Sequence, residues 1–174
     1  MSNPLNAAPP PAAASLTLVV RTMLMAIPLI TIVLYFVLVT DGLGPFPALW
    51  APAVVVAAAA AAYALAELIG FRAVPLEHGG RPADVESDAW RRFTASTFVR
   101  FAICEAVFLL SIPIAFVVNS YWVVLVGAVL AIPLVAYEVL PSRRNQQRFA
   151  ASLEARGVPS YLLGRPQDFT RPQD

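Results

Sequence analysis

The sequence has little charge and few of the residues that most often carry chemistry. Only 13% of its 174 residues are charged, against about a quarter in a typical soluble domain. It has one histidine, His78, and one cysteine, Cys104, and all 12 basic residues are arginine. A lone histidine excludes a histidine-based metal site, and a lone cysteine excludes an intramolecular disulfide. P-loop and dinucleotide-binding glycine patterns are also absent, so no cofactor and no metal are expected.

Apolar residues take the place of the missing charge. They make up 59% of the chain, whose mean hydropathy is +0.69, and a surface so poor in charge needs lipid as its solvent. A transmembrane helix needs about 20 apolar residues, and four stretches meet this requirement. Their approximate bounds are 22–40, 49–69, 98–118 and 121–140. We therefore expect an all-α polytopic membrane protein, a four-helix bundle whose transmembrane domain covers 16–140.

Two connections between these spans are short. Residues 41–47, DGLGPFP, form a turn rich in glycine and proline, and only Asn119 and Ser120 separate the third span from the fourth. Short links join antiparallel neighbours. The pattern predicts two antiparallel hairpins, one made of spans one and two and the other of spans three and four.

The arginines lie on one side of the predicted bundle. Most of them are in the middle loop, 72–97, and the C-terminal segment, 141–174, and Arg21 opens the first span from the same side. The positive-inside rule places that side in the cytoplasm. Arginine without lysine in an alanine-rich chain is typical of bacterial genomes of high GC content. We expect a multi-pass protein of a bacterial plasma membrane with both termini cytoplasmic.

The segments outside the spans have patterns of their own. Residues 1–15 are rich in alanine and proline and predict a disordered tail, and their lack of positive charge argues against a secretory signal peptide. Acidic residues from Asp84 onward favour a helix start, so the middle loop is expected to become helical and continue into the third span. Ser142 is a candidate N-cap for a C-terminal helix that ends near Arg156. The repeated RPQD motif beyond it predicts a disordered tail.

Glu105 is the most deeply placed of three carboxylates inside the predicted spans. A carboxylate in hydrocarbon is costly and marks a functional candidate. Glu105 lies seven residues, about 10 Å along the helix axis, inside the third span. Two explanations stay open. One is a structural ion pair or hydrogen bond with Arg100 or Arg21 from the same leaflet, and the other is a proton or cation relay.

Glu67 and Glu138, the other two carboxylates, occupy matching positions. Each ends the second helix of its hairpin, and each is followed five residues later by an arginine, Arg72 or Arg143. The pattern is typical of charge pairs at the membrane interface. It also agrees with two hairpins related as parallel repeats.

Alanine dominates the second span. Residues 57–62 are all alanine, and small residues four positions apart let helix backbones approach closely. We expect Ala57, Ala58, Ala61 and Ala62 to form a helix-packing face, directed toward another span or another subunit.

One segment carries a family resemblance. It begins at Phe93 with FTASTFVRFAICEAVFLLS and ends with YEVLP, which is followed by SRR. It resembles a group of uncharacterised four-helix integral membrane proteins from actinobacteria. The resemblance rests on Arg100, Glu105, Pro141 and Arg143 and covers about a quarter of the chain. It implies a plasma-membrane location and no known activity.

No set of residues in the sequence indicates catalysis. Ser111 and Thr31 have no base near them, and an arginine-rich side without a folded basic domain does not indicate nucleic-acid binding. We expect a non-enzymatic accessory or structural subunit in the lipid bilayer, either a homo-oligomer or a partner of other membrane subunits. The alternative is a small oligomeric transporter or proton/cation-conducting unit that uses Glu105.

Overall fold

The fold is helical throughout the residues that the structure describes. The structure is a computed structural model, and it describes residues 11–40 and 42–164, with side chains from residue 13 onward. Within those ranges the chain forms five helices and no strand: α1 (Pro11–Leu38), α2 (Trp50–Ile69), α3 (Pro82–Val118), α4 (Tyr121–Glu138) and α5 (Arg143–Leu153). The predicted all-α class is confirmed.

Four of the helices are long and apolar enough to cross a membrane. The corresponding segments are Ala13–Leu38, Trp50–Ile69, Pro82–Val118 and Tyr121–Glu138. The four predicted spans fall on these four helices, which agrees with an integral membrane protein. Many leucine, valine and phenylalanine side chains are exposed on the outside of the bundle, as expected where lipid is the solvent.

Helix α1 begins earlier than predicted. Its first residue, Pro11, lies inside the segment 1–15 that the composition assigned to a disordered tail. Proline is favoured in the first turn of a helix, and alanine is the best helix former. Leu16 is also buried against the bundle, so tertiary packing adds to local propensity. Residues 1–10 and the predicted tail at 165–174 lie outside the described residues.

Helix α3 is 37 residues long and continues from the middle loop into the bundle without a break. The prediction of a helix that starts near Asp84 is confirmed, and only residues 70–81 of the connection are non-helical. At the other end Asn119 adopts a left-handed conformation with φ of 46°, which asparagine tolerates better than most residues. Ser120 then precedes α4 with an extended backbone, so the predicted two-residue corner is confirmed.

Helix α4 is central to the packing. Its most extensive contact is with α3, and it also packs against α2 and α1. Helices α1 and α2 were expected to pair as a hairpin, but each packs on α4, and they contact each other marginally at most. The link between them, 39–49, is longer than the predicted turn at 41–47 and allows them to lie apart. The first two spans are therefore joined in sequence without packing as a pair, which corrects the prediction.

Aromatic side chains hold α1 to the start of α4. The Tyr121 hydroxyl donates a hydrogen bond to the Thr31 carbonyl at 3.0 Å, and the rings of Tyr121 and Tyr35 meet edge-on with centroids 5.5 Å apart. The Trp122 indole N–H donates to the Gly44 carbonyl at 3.2 Å. These contacts fix α1 and the loop after it at this end of the bundle.

Helix α5 covers the opposite end, where α2 and α4 finish, and we call this the arginine-rich end. Phe149 and Leu153, on the thin apolar side of the predicted C-terminal helix, are both fully buried. The Phe149 ring lies 5.5 Å from the ring of Phe93 on α3. The Ser142 hydroxyl accepts a hydrogen bond from the Asn145 backbone N–H at 3.3 Å, so the predicted N-cap is confirmed.

Candidate polar site at the arginine-rich end

A bidentate ion pair joins α5 to the end of α2. The guanidinium of Arg148 binds both carboxylate oxygens of Glu67, and the hydrogen bond from Nη1 to Oε1 measures 2.6 Å. Arg144, one turn earlier on α5, adds a contact of 3.4 Å to the same carboxylate. A bidentate arginine–carboxylate pair is directional as well as strong. It therefore fixes the position of α5 against α2.

Glu138, the last residue of α4, lies beside this ion pair. Its side chain is fully buried, and Arg144 Nη1 lies 3.8 Å from its Oε1. Glu67 faces it from α2. Neither oxygen of the Glu138 carboxylate accepts a hydrogen bond from the described residues. Arg144 thus contacts two carboxylates and links the ends of α2 and α4.

Arg100 on α3 is fully buried. Its Nη1 donates to the backbone carbonyl of Glu138, its Nη2 to the Thr97 hydroxyl at 3.2 Å, and its Nε to the Ser96 carbonyl at 3.4 Å. A buried guanidinium is stable only when its donors find partners. Because one of these partners belongs to α4, Arg100 joins α3 to the end of α4.

The two residues after α2 fit closely around the arginines. A Cβ at Gly70 would lie 2.6 Å from Arg100 Cδ and 2.5 Å from the Ala66 carbonyl oxygen, so a glycine is needed there. The guanidinium groups of Arg100 and Arg148 lie 4.3 Å and 4.2 Å from the centroid of the Phe71 ring. Phe71 therefore makes cation–π contacts with arginines from two different helices.

Asn145 on α5 closes the C-terminal end of α4. Its Nδ2 lies within hydrogen-bonding distance of the carbonyl oxygens of Tyr137 at 3.2 Å, Glu138 at 3.0 Å and Leu140 at 2.9 Å. The last carbonyl groups of a helix have no donors within the helix itself. Helix α5 therefore supplies hydrogen bonds to the end of α4 in addition to charge.

Five charged side chains meet here, and we call them the charge cluster: Arg100, Arg144, Arg148, Glu67 and Glu138. Three positive and two negative charges leave one positive charge when all five are ionised. The bidentate contact with Glu67 raises the pKa of Arg148 above its ordinary value. Guanidinium groups are charged at any physiological pH, so the cluster keeps its cations.

The partners of Glu67 and Glu138 differ from those expected. The sequence spacing suggested Arg72 and Arg143, whereas both carboxylates contact arginines of α5. Arg72 and Arg143 are exposed, and neither forms an ion pair within the part of the chain that the structure describes. Both glutamates lie in the last turn of their helices, so an arginine five positions later lies beyond the helix end, where the chain has already turned away.

Glu105 does not belong to the charge cluster. Neither of its expected partners binds it. Arg100 donates to a carbonyl at the end of α4, and the Arg21 side chain is exposed on α1. Glu105 has no hydrogen bond or ion pair among the described residues. Its side chain is half-buried, one turn from the buried Phe101 and one turn from the exposed Leu109. The intramolecular ion pair suggested by the sequence is therefore not formed.

The alanine-rich part of α2 borders an open groove. Ala58, Ala61 and Ala62 line this groove, which lies between α2 and α3 and has a volume of about 590 Å³. Ala62 is buried and Ala57 is exposed. Part of the predicted packing face therefore contacts α3, and the rest is open to the outside of the bundle.

The chemistry of these side chains suits binding and positioning. Arginine has only hydrogen-bond donors and does not release a proton at neutral pH. Within residues 11–40 and 42–164, no group of three or more histidine, cysteine, aspartate or glutamate side chains is placed to hold a metal ion. The charge cluster connects α2, α3 and α4 to α5.

Sequence reasoning missed three residues of α5, namely Arg144, Arg148 and Asn145. The two arginines are four positions apart, which puts them on one face of a helix, and this spacing is the signal that would have identified them. Gly70 and Phe71 carried no such signal. Their role depends on how α3 returns past the end of α2.

No protein family model, no curated protein and no solved structure matches this chain. The resemblance of the segment 93–141 to the actinobacterial group accordingly stays a prediction.

Proposed function

We propose that the protein is a non-enzymatic accessory or structural subunit that packs with other chains in a bacterial plasma membrane. The observation that carries this proposal is the unpaired carboxylate of Glu105 on α3. Its own chain leaves it only half-buried and supplies no partner among the described residues. A carboxylate inside a membrane is stable when it is protonated or when another chain supplies a donor.

A second unpaired charge lies on α1. Arg21 is exposed on an apolar helix and has no partner in the described part of the chain. Arg21 and Glu105 are opposite in sign, lie on different helices, α1 and α3, and do not pair with each other. Another membrane subunit with complementary charges would satisfy both of them.

The remaining polar side chains also support a structural role. The charge cluster is engaged within the chain, where it joins α5 to the ends of α2, α3 and α4. Ala57, which is exposed on α2 outside the groove, is a small side chain of the kind that permits close helix approach. The positive-inside rule favours an orientation in which the charge cluster and both termini are cytoplasmic.

The same glutamate favours a second candidate function, a small oligomeric transporter or proton/cation-conducting unit. Unpaired carboxylates within a membrane are the groups that proton relays use. In this role Glu105 binds and releases a proton or a cation, and neighbouring copies enclose it. The two functions differ in what Glu105 needs, because a subunit contact requires a donor and a relay requires a titrating carboxylate.

The substitution Glu105→Gln distinguishes these functions. In the subunit role we expect about tenfold less co-purification of partner membrane proteins in mild detergent, because a neutral hydrogen bond is weaker than a charged one. Glu77→Gln, in an exposed loop, is the matched control and should leave co-purification unchanged.

Two results would overturn the subunit proposal. One is intact co-purification of the Glu105→Gln protein together with loss of proton-dependent flux in liposomes. The other is a wild-type preparation that contains only copies of this chain. Both results would favour the transporter or conducting unit.

A further inference from the structure

We infer that the crevice between α2 and α3 binds an anionic phospholipid, with the phosphate at the arginine-rich end and an acyl chain along the groove. Two cavities follow one another in this crevice, the first lined partly by arginine side chains and the second almost entirely by apolar ones. Neither Glu105 nor any member of the charge cluster lines them. The site therefore uses neither Glu105 nor the charge cluster.

The first cavity lies at the arginine-rich end and has a volume of about 410 Å³. Its charged side chains are Arg72 and Arg92, and apolar walls are formed by residues such as Ile69 and Val99. Ser96 also lines the cavity, but its hydroxyl donates to the Gly70 carbonyl. Guanidinium donors beside an apolar wall suit a molecule with a phosphate joined to hydrocarbon.

Arg72 supplies a free positive charge at this cavity, because it is exposed and forms no ion pair with a described residue. Arg92 donates to the Val74 carbonyl at 2.9 Å and lies 2.7 Å from the Asp88 carboxylate. The same carboxylate also binds Arg91. One negative charge is thus shared by two guanidinium groups, and the wall of the cavity keeps a positive surplus that attracts an anion.

The second cavity, of about 590 Å³, continues the crevice into the apolar part of the bundle. Val99 lines the first cavity and Ile103 the second, and they lie one turn apart on α3. Ala61 on α2 and Ala106 on α3 line the deeper part and are both exposed. Short side chains on both helices therefore leave a groove that is open to the surrounding lipid.

The crevice is long enough for an acyl chain. Leu110 lies 14 positions after Ser96, which corresponds to about 21 Å of helix, whereas half of the hydrocarbon core of a bilayer is about 15 Å thick. A lipid whose phosphate binds near Arg72 therefore has room for its chain along the groove. If a free phosphate were the ligand, the apolar groove would stay empty. If an apolar helix were the ligand, Arg72 would stay without a partner. An anionic phospholipid satisfies both parts of the site.

The experiment uses the full-length protein in mild detergent, incubated with phosphatidylglycerol or phosphatidylcholine of identical acyl chains. Native mass spectrometry counts the bound lipid. We expect preferential retention of phosphatidylglycerol, an about fivefold loss of affinity in Arg72→Gln, and retained binding in Arg72→Lys. Arg81→Gln is the matched control, because Arg81 is exposed and lies outside the crevice.

The groove is tested by filling it. Ala106→Leu should reduce retention of both lipids, whereas Ala60→Leu, on an exposed part of α2 outside the groove, should not. The inference fails if wild-type protein retains the two lipids equally, or if Arg72→Gln and Arg81→Gln behave alike. It also fails if glycerol phosphate displaces phosphatidylglycerol at equal concentration, since the site would then recognise phosphate without a lipid chain.

Discussion

Replacement of Arg100 by lysine should destabilise the fold more than replacement by methionine. Lysine keeps a buried charge but has a single ammonium group, whereas the guanidinium reaches the carbonyl groups of Glu138 and Ser96 and the hydroxyl of Thr97. The ammonium cannot match this planar, three-way geometry. Methionine removes the charge and fills the space with a flexible apolar side chain.

The charges that remain after each substitution determine which of the two variants is less stable. With methionine, the two arginines of α5, Arg144 and Arg148, balance the carboxylates of Glu67 and Glu138, so no charge is left in excess. The Glu138 carbonyl also keeps a donor, because Asn145 Nδ2 lies 3.0 Å from it. With lysine, an incompletely hydrogen-bonded charge stays buried, which is the costlier arrangement.

We expect the lysine variant to lose about 3 kcal/mol of stability, because a buried charge is left without part of its hydrogen-bond partners. The methionine variant should lose about 1 kcal/mol, mostly from the cation–π contact with Phe71. For a chain of this size each kcal/mol shifts the unfolding midpoint by about 2–4 °C. The midpoint should therefore fall by about 6–12 °C with lysine and by about 2–4 °C with methionine.

Thermal unfolding in detergent, followed by far-ultraviolet circular dichroism, measures both shifts. Arg91→Lys and Arg91→Met are matched controls on an exposed part of the same helix and should leave the midpoint unchanged. If Arg100→Met is as destabilising as Arg100→Lys, the reasoning is refuted. That result would mean that the lost guanidinium hydrogen bonds, and not the charge that lysine keeps, set the cost of both substitutions.

Two other substitutions examine the same end of the bundle. Gly70→Ala places a Cβ in space that a buried arginine occupies and should cost about 1–3 kcal/mol in the same assay. Gly80→Ala is the control, because its Cβ meets only the tip of a valine. Equal unfolding midpoints for the two variants would contradict the close packing around Gly70. Arg148→Ala removes the bidentate contact with Glu67 and should speed amide hydrogen exchange in α5 about fivefold, as for a partly exposed ion pair. Arg143→Ala is its control, and unchanged exchange in Arg148→Ala would mean that the apolar side of α5 holds the helix without the ion pair.

The helices were largely predictable because their signals are local. The length of each apolar run identified the four spans, the acidic residues near Asp84 marked the start of α3, and Ser142 marked the start of α5. The early start of α1 at Pro11 was missed, since a composition rich in alanine and proline is shared by disordered tails and by helix N-termini.

The charge cluster was not predictable because its partners are distant in sequence. Glu67 and Arg148 are 81 positions apart, and their contact requires α2, α4 and α5 to finish at the same end. The packing of α1 against α4 was not predicted for the same reason, since a short link shows only that two helices are near in sequence. Sequence spacing identified both carboxylates as candidates, but it assigned them to Arg72 and Arg143.

The contrast between Arg100 and Glu105 follows from the rotation of one helix. The two residues are five positions apart on α3, which turns the second about 140° away from the first. Arg100 faces the buried side, where α4 and Phe71 engage its guanidinium. Glu105 lies on the flank, where the described chain supplies no partner. Since folding alone satisfies Arg100, we expect Arg100 variants to affect stability and Glu105 variants to affect contacts with other chains.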